Sequence, residues 1–87
     1  MAPGIWNNSS STINLYPNPV KDILNISSSD NIKSLKVKDL LGRIIYSSLD
    51  INSKSISLNT SNFRNNVYLL SLIINDKLII KKIIINH

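Results

Sequence analysis

The stretch "VYLLSLIINDKLIIKKIII", Val67 to Ile85, decides the fold class of this chain. Two apolar runs, 67–74 and 78–85, meet across Asn75-Asp76. Asn and Asp are residues that a two-residue hairpin turn accepts, so the stretch predicts a tight antiparallel hairpin. Ile, Leu and Val dominate both runs, as they do in strands buried on at least one face. In the first run Tyr68, Leu70, Leu72 and Ile74 share one face, because side chains alternate along a strand. Val67, Leu69 and Ile73 make the other face nearly as apolar, with Ser71 its only break. In the second run Lys81 and Lys82 fall one on each face. They also interrupt the apolar run far short of membrane-spanning length.

The same period of two recurs upstream. Ile13 to Tyr16 reads as a short strand. In 22–27, Leu24 and Ile26 point one way, Ile23 and Asn25 the other. "SSSDN" (27–31) predicts a turn. In 33–39, Leu35 and Val37 oppose Lys36 and Lys38, the pattern of a half-buried strand. "DLLG" (39–42) fits a type I turn, with Asp39 accepting from the turn's own N–H groups and Gly42 taking the positive φ of a bulge. Residues 43–48 return from it as a strand. Another strand follows at 54–59, with Ile56 and Leu58 on one face, then a polar loop, 60–66, pinned by Phe63. About seven short strands with no helical period and no internal repeat predict an all-β fold, a small antiparallel β-sandwich of the immunoglobulin-like kind.

Composition agrees. Eighty-seven residues suit one small domain, and with no cysteine to staple it, stability must come from the 43% of residues that are hydrophobic. Glu and Gln are absent and alanine is scarce, which disfavours helices. The net charge of +5 comes from lysines scattered singly apart from Lys81-Lys82, a distribution that suits solubility rather than a nucleic-acid site. Residues 1–12, "MAPGIWNNSSST", are polar, with Trp6 the one bulky side chain. They lack the basic and apolar regions of a secretory signal and are expected to be a flexible linker or a cloning remnant, leaving 13–87 as the domain. An exposed Trp6 in that linker is expected, not a rigid ligand platform.

Catalysis needs a nucleophile, a base or a metal held in place. The single histidine, His87, is the last residue and is expected to be poorly ordered. The carboxylates Asp22, Asp30, Asp39, Asp50 and Asp76 all fall at predicted turns or strand ends, where they read as caps. With only Gly4 and Gly42, no glycine-rich phosphate cradle exists. No enzyme, cofactor or metal site is expected. Among binding modules, a carbohydrate-binding or adhesion sandwich would expose aromatics in a row. Of Tyr16, Tyr46, Phe63 and Tyr68, the last lies on a core-facing register and Phe63 anchors a loop, so this reading stands second.

Four segments carry a resemblance: "LYPNPVKDILNI" (15–26), "VKDLLGRII" (37–45), "ISLNTSNFRNNVYLLSLI" (56–73) and "LIIKKIIIN" (78–86). In this order and spacing they resemble a type IX secretion system C-terminal sorting domain. That family has a Pro-Asn-Pro opening, matched by Pro17, Asn18 and Pro19, and an Asp-x-x-Gly-[Arg/Lys] hairpin, matched by Asp39 and Gly42. Its Gly-x-Tyr strand start leads to Tyr68, and its lysine-bearing apolar last strand corresponds to Lys81, Lys82, Ile83, Ile84 and Ile85. Asn66 stands where the family has glycine, and asparagine best tolerates left-handed geometry there.

The resemblance implies a folded secretion signal attached C-terminally to a cargo domain. The cargo would pass through the periplasm to the surface or exterior of a Gram-negative bacterium. There the signal would be recognised by an outer-membrane translocon and removed by a sortase-like peptidase. In physical terms, the prolines fix φ and remove N–H donors, so Tyr16 to Pro19 is expected to be rigid and extended. It would set the angle between tether and domain, or keep an edge from pairing. The last strand is expected either to lie at an edge, open to strand addition by the translocon or by another copy, or to be a core strand guarded by its lysines.

Overall fold

The computed structural model describes residues 12–87; the expected linker, with Trp6, lies outside the described residues except for Thr12. The described residues form six antiparallel strands and no helix: β1 Ile13–Tyr16, β2 Ile23–Lys38, β3 Ile44–Ser48, β4 Ser53–Asn59, β5 Asn66–Ile74 and β6 Lys77–Ile85. The count is six, not about seven, because the two strands expected at 22–27 and 33–39 are one. "SSSDN" is therefore not a turn.

β2 organises the molecule. Its first half pairs with β1 on one flank (Leu15 opposite Ile26) and β4 on the other (Ile26 opposite Ile56). Its second half pairs with β5 (Val37 opposite Leu70) and β3 (Val37 opposite Tyr46), and β6 adds to β5. One hydrogen-bonded sheet thus contributes both layers of a small sandwich, with β2 turning the corner between them. Strands that change layers do so at bulges. Here the ladders lose register between Ser27 and Ile32 and again between Ile32 and Ser34. The alternation slips with them: Leu24, Ile26, Ser28 and Ile32 are buried before the slip, Leu35 and Val37 after it.

The polar composition at 27–31 belongs to this corner. The Ser28 hydroxyl accepts from the Asp30 N–H, and Ser29 exchanges hydrogen bonds with the backbone of Thr12. Both halves of β2 feed one core, which also takes Val20, Leu58, Tyr68, Leu70, Leu72, Ile74, Ile83 and Ile85.

The two turns foreseen in the sequence are present. Asn75 and Asp76 have φ of 54° and 60°, the pair of positive values a type I′ hairpin requires. Gly42 has φ of +86°, and its N–H donates to the Asp39 carbonyl at 3.1 Å. The break between β3 and β4, where Asp50 and Asn52 also take positive φ, had no comparable signal. Asn66 opens β5 without positive φ, so the left-handed tolerance expected of it is not called on.

Candidate functional site

β6 is an edge strand. Its odd-numbered residues face β5 in the ladder, with Lys81 opposite Leu70 and Ile83 opposite Tyr68. The Ile84 carbonyl and Asn86 N–H point the other way, to Val20. Because successive residues alternate direction, the N–H and C=O of Leu78, Ile80 and Lys82 also point outward, where no strand among the described residues pairs with them. Ile83 and Ile85 are buried in the core, whereas Leu78, Ile80 and Ile84 are 61%, 55% and 42% exposed on the outer face. Lys81 and Lys82 are both exposed, as expected one on each face. Lys81, on the core-facing side of an edge strand, is a charge of the kind that discourages indiscriminate pairing.

The prolines act on this same strand. Residues 17–19 form a bend in which both the Tyr16–Pro17 and Asn18–Pro19 bonds are cis, not the extended piece expected. Nor does the bend lie between tether and domain, since β1 precedes it and is already paired with β2. The bend delivers Val20, only 2% exposed, to the end of β6. The Val20 N–H donates to the Ile84 carbonyl at 2.7 Å, and the Val20 carbonyl accepts from Asn86 at 2.8 Å. This parallel bridge closes the last part of the β6 edge and leaves the rest open. A small cavity of about 70 Å³ between the bend and the strand is lined by Pro17, Asn18, Val20, Lys82 and Ile83 among others. Nothing in the sequence singled out Val20, since one valine after a proline carries no pattern.

Asp39 and Gly42 lie elsewhere, at the tip of the β2–β3 hairpin. Asp39 Oδ1 accepts from the N–H groups of Leu41 and Arg43, both at 2.9 Å, and Oδ2 accepts from Arg43 Nε at 2.6 Å. Burial on its own raises the Asp39 pKa. The Arg43 and Leu41 N–H donors and the Arg43 guanidinium outweigh it, and the carboxyl sits below its ordinary value. These bonds build the turn. Tyr68 is buried as well: its hydroxyl donates to the Arg64 carbonyl at 2.7 Å and its ring packs on Phe63. It anchors the 60–66 loop, as Phe63 was expected to. An open groove of about 500 Å³ between hairpin tip and loop is lined by Asp39, Arg43, Phe63, Arg64 and Tyr68 among others.

His87 is held, contrary to expectation. Its N–H donates to Asn65 Oδ1 at 2.9 Å, Nε2 lies 2.6 Å from the Phe63 carbonyl, and Nδ1 lies 3.1 Å from Asp22 Oδ1. The Phe63 carbonyl does most to raise the imidazole pKa, against an opposing effect of burial, and Asp22 raises it further. Tyr16 and Tyr46 are exposed but pair with Asn25 and Val37, in opposite halves of β2, so they form no aromatic row.

Asp39 and Tyr68 are thus absorbed in holding turns and loops, whereas the outward backbone groups of Leu78, Ile80 and Lys82, like the free flanks of β1, β3 and β4, meet no strand among the described residues. That arrangement offers an open sheet edge of the kind that strand addition uses. The chain matches the family model of the secretion system C-terminal sorting domain over residues 14–86 and belongs to that family, the sorting signals of type IX secretion. It is a family of signals, not of enzymes, and membership marks cargo bound for the surface or exterior of Gram-negative bacteria. No curated protein matches the chain.

Among solved structures, the chain is similar to part of PorZ, an essential bacterial surface component of the type-IX secretion system of Porphyromonas gingivalis. The TM-score is 0.68 at 18% identity, over 86% of this chain and 11% of that one. At that identity the likeness is one of fold, and this chain spans a small part of the other protein's length.

Proposed function

We propose that an outer-membrane translocon reads this domain at the open edge of β6, and that a sortase-like peptidase then separates it from a cargo domain preceding residue 13. Reading would follow a periplasmic stage. The observation that carries the proposal is the row of outward N–H and C=O groups at Leu78, Ile80 and Lys82, beside two exposed lysines and stopped at Val20. Strand addition takes its affinity from such backbone groups and its selectivity from the side chains beside them.

The motif residues divide accordingly. Lys81, Lys82 and Ile84 contact the reader, and Ile83 and Ile85 anchor the strand from within. Pro17, Asn18 and Pro19 place Val20 at its end. Asp39, Gly42 and Tyr68 keep the frame in shape.

Deleting Lys81–His87 would not test this, because it removes buried Ile83 and Ile85. Ile80→Pro is the sharper variant. Its lost N–H points outward, and proline is tolerated at sheet edges in that orientation. With the chain fused behind a reporter in a type IX-competent host, Ile80→Pro should stay folded and abolish surface delivery. Delivery at the wild-type level by the folded variant would refute the edge reading.

A further inference from the structure

The outer face of the sheet formed by the second half of β2, β5 and β6 is uncovered. The registers place its side chains in rows: Lys38–Leu69–Lys82, then Lys36–Ser71–Ile80, then Ser34–Ile73–Leu78, with Val67 and Ile84 paired at one end. Leu78, Ile80 and Ile84 are exposed, and Val67, Leu69 and Ile73 are half-buried. This is the face on which only Ser71 breaks the apolar pattern of β5. Among the described residues, none of its rows contains a carboxylate, and none of Lys36, Lys38 and Lys82 has an ion pair. Lys38 and Lys82 stand two strand spacings apart, about 10 Å, on either side of Leu69.

We propose that this face is a protein-docking surface, occupied by a partner presenting an aliphatic patch bordered by carboxylates that meet Lys36, Lys38 and Lys82. The proposal deepens the edge reading and rests on it, because Leu78, Ile80 and Lys82 belong both to the open edge and to this face. A strand added to β6 continues the same surface, so one partner engages backbone and side chains together. Charge supports the assignment: three cations with no anion among them call for acidic groups opposite, and such pairs set orientation and encounter rate. The face holds no aromatic side chain, whereas surfaces that settle into a lipid interface favour Trp and Tyr. A protein occupant therefore fits better than a membrane.

The test compares two double variants with equal change in net charge, each in the full chain behind a reporter in secreting cells. Lys36→Glu/Lys38→Glu alters the face at lysines of β2 that the edge reading does not use; Lys21→Glu/Lys54→Glu alters exposed lysines elsewhere. The first, with an unchanged thermal midpoint, should cut surface delivery by about tenfold or more, and the second should leave it near wild type. Should the Glu pair fail to fold, Lys36→Gln/Lys38→Gln replaces it, with a smaller loss in the same direction.

Equal delivery by the two double variants overturns the proposal. Ile80→Pro separates the two ideas: if it blocks delivery while Lys36→Glu/Lys38→Glu does not, the face proposal falls and the edge reading stands. A lipid occupant is tested with vesicles of phosphatidylcholine and phosphatidylglycerol in equal parts. Sedimentation of the purified chain with them, lost in Lys36→Glu/Lys38→Glu, would assign the face to membrane and overturn the protein partner.

Discussion

Single residues at the β2–β3 hairpin show how closely local chemistry binds this fold. Gly42 has φ of +86° and open space where a Cβ would stand, so substitution there meets a backbone cost and no clash. Gly42→Ala should destabilise the domain by about 1 kcal/mol and Gly42→Asn by less, measured by urea unfolding. Asp39 gives a pH test. Its folded pKa is depressed, so its contribution is present above the ordinary carboxylate value and disappears as pH falls through the folded one. Asp39→Asn should lower the thermal midpoint at neutral pH and flatten its decline into acid. Both residues were legible in "DLLG" because a turn's needs are met within four consecutive positions. Their role was less so. The sequence marks them as motif, and only the bonds from Asp39 to Leu41 and Arg43 show a turn being held together.

At the scale of the element, β6 carries opposite consequences on its two faces. Ile83→Ala should cost about 2–5 kcal/mol, as expected for a buried isoleucine, and Ile84→Ala less than about 1 kcal/mol, the contrast being read by chemical denaturation. If the two cost the same, the register of the last hairpin is wrong. That hairpin was readable because period-two burial and an Asn-Asp turn are both local signals.

The long β2 was not. Residues 27–31 have turn composition, but their conformation is set by distant partners: Thr12 beside Ser29, Ile74 opposite Ile32, and Ser53 opposite Ile32 on the other flank. The same holds for Val20, whose partner Ile85 comes from the far end of the chain.

For the whole molecule, the chain closes on itself at one end of the sandwich. The bend before β2, the 60–66 loop and the segment after β6 meet through Thr60, whose N–H donates to Asp22 and whose hydroxyl donates to Lys21, and through His87. His87 has a raised folded pKa, so its contribution is complete below the ordinary imidazole value of 6.5 and is lost as pH rises through the folded value. Wild type should therefore lose stability across that interval relative to His87→Ala, whose profile should be flat there. Parallel profiles for the two chains would show that the imidazole is not engaged in solution. Asp22 and the Phe63 carbonyl face the ring, and the Lys21 backbone also lies within its reach.

The clasp between Val20 and β6 also leads to an expected order of events during folding. The β5–β6 ribbon needs only two turn residues to form, and such ribbons appear within about 1–10 μs. Asp22 and His87, beside the clasp, are 65 residues apart in sequence, and joining ends so distant costs about 3–4 kcal/mol of chain entropy before any contact repays it. The early ribbon is therefore expected to wait for a late seam, and an intact seam reports that the two ends of the stretch 20–86 have come together.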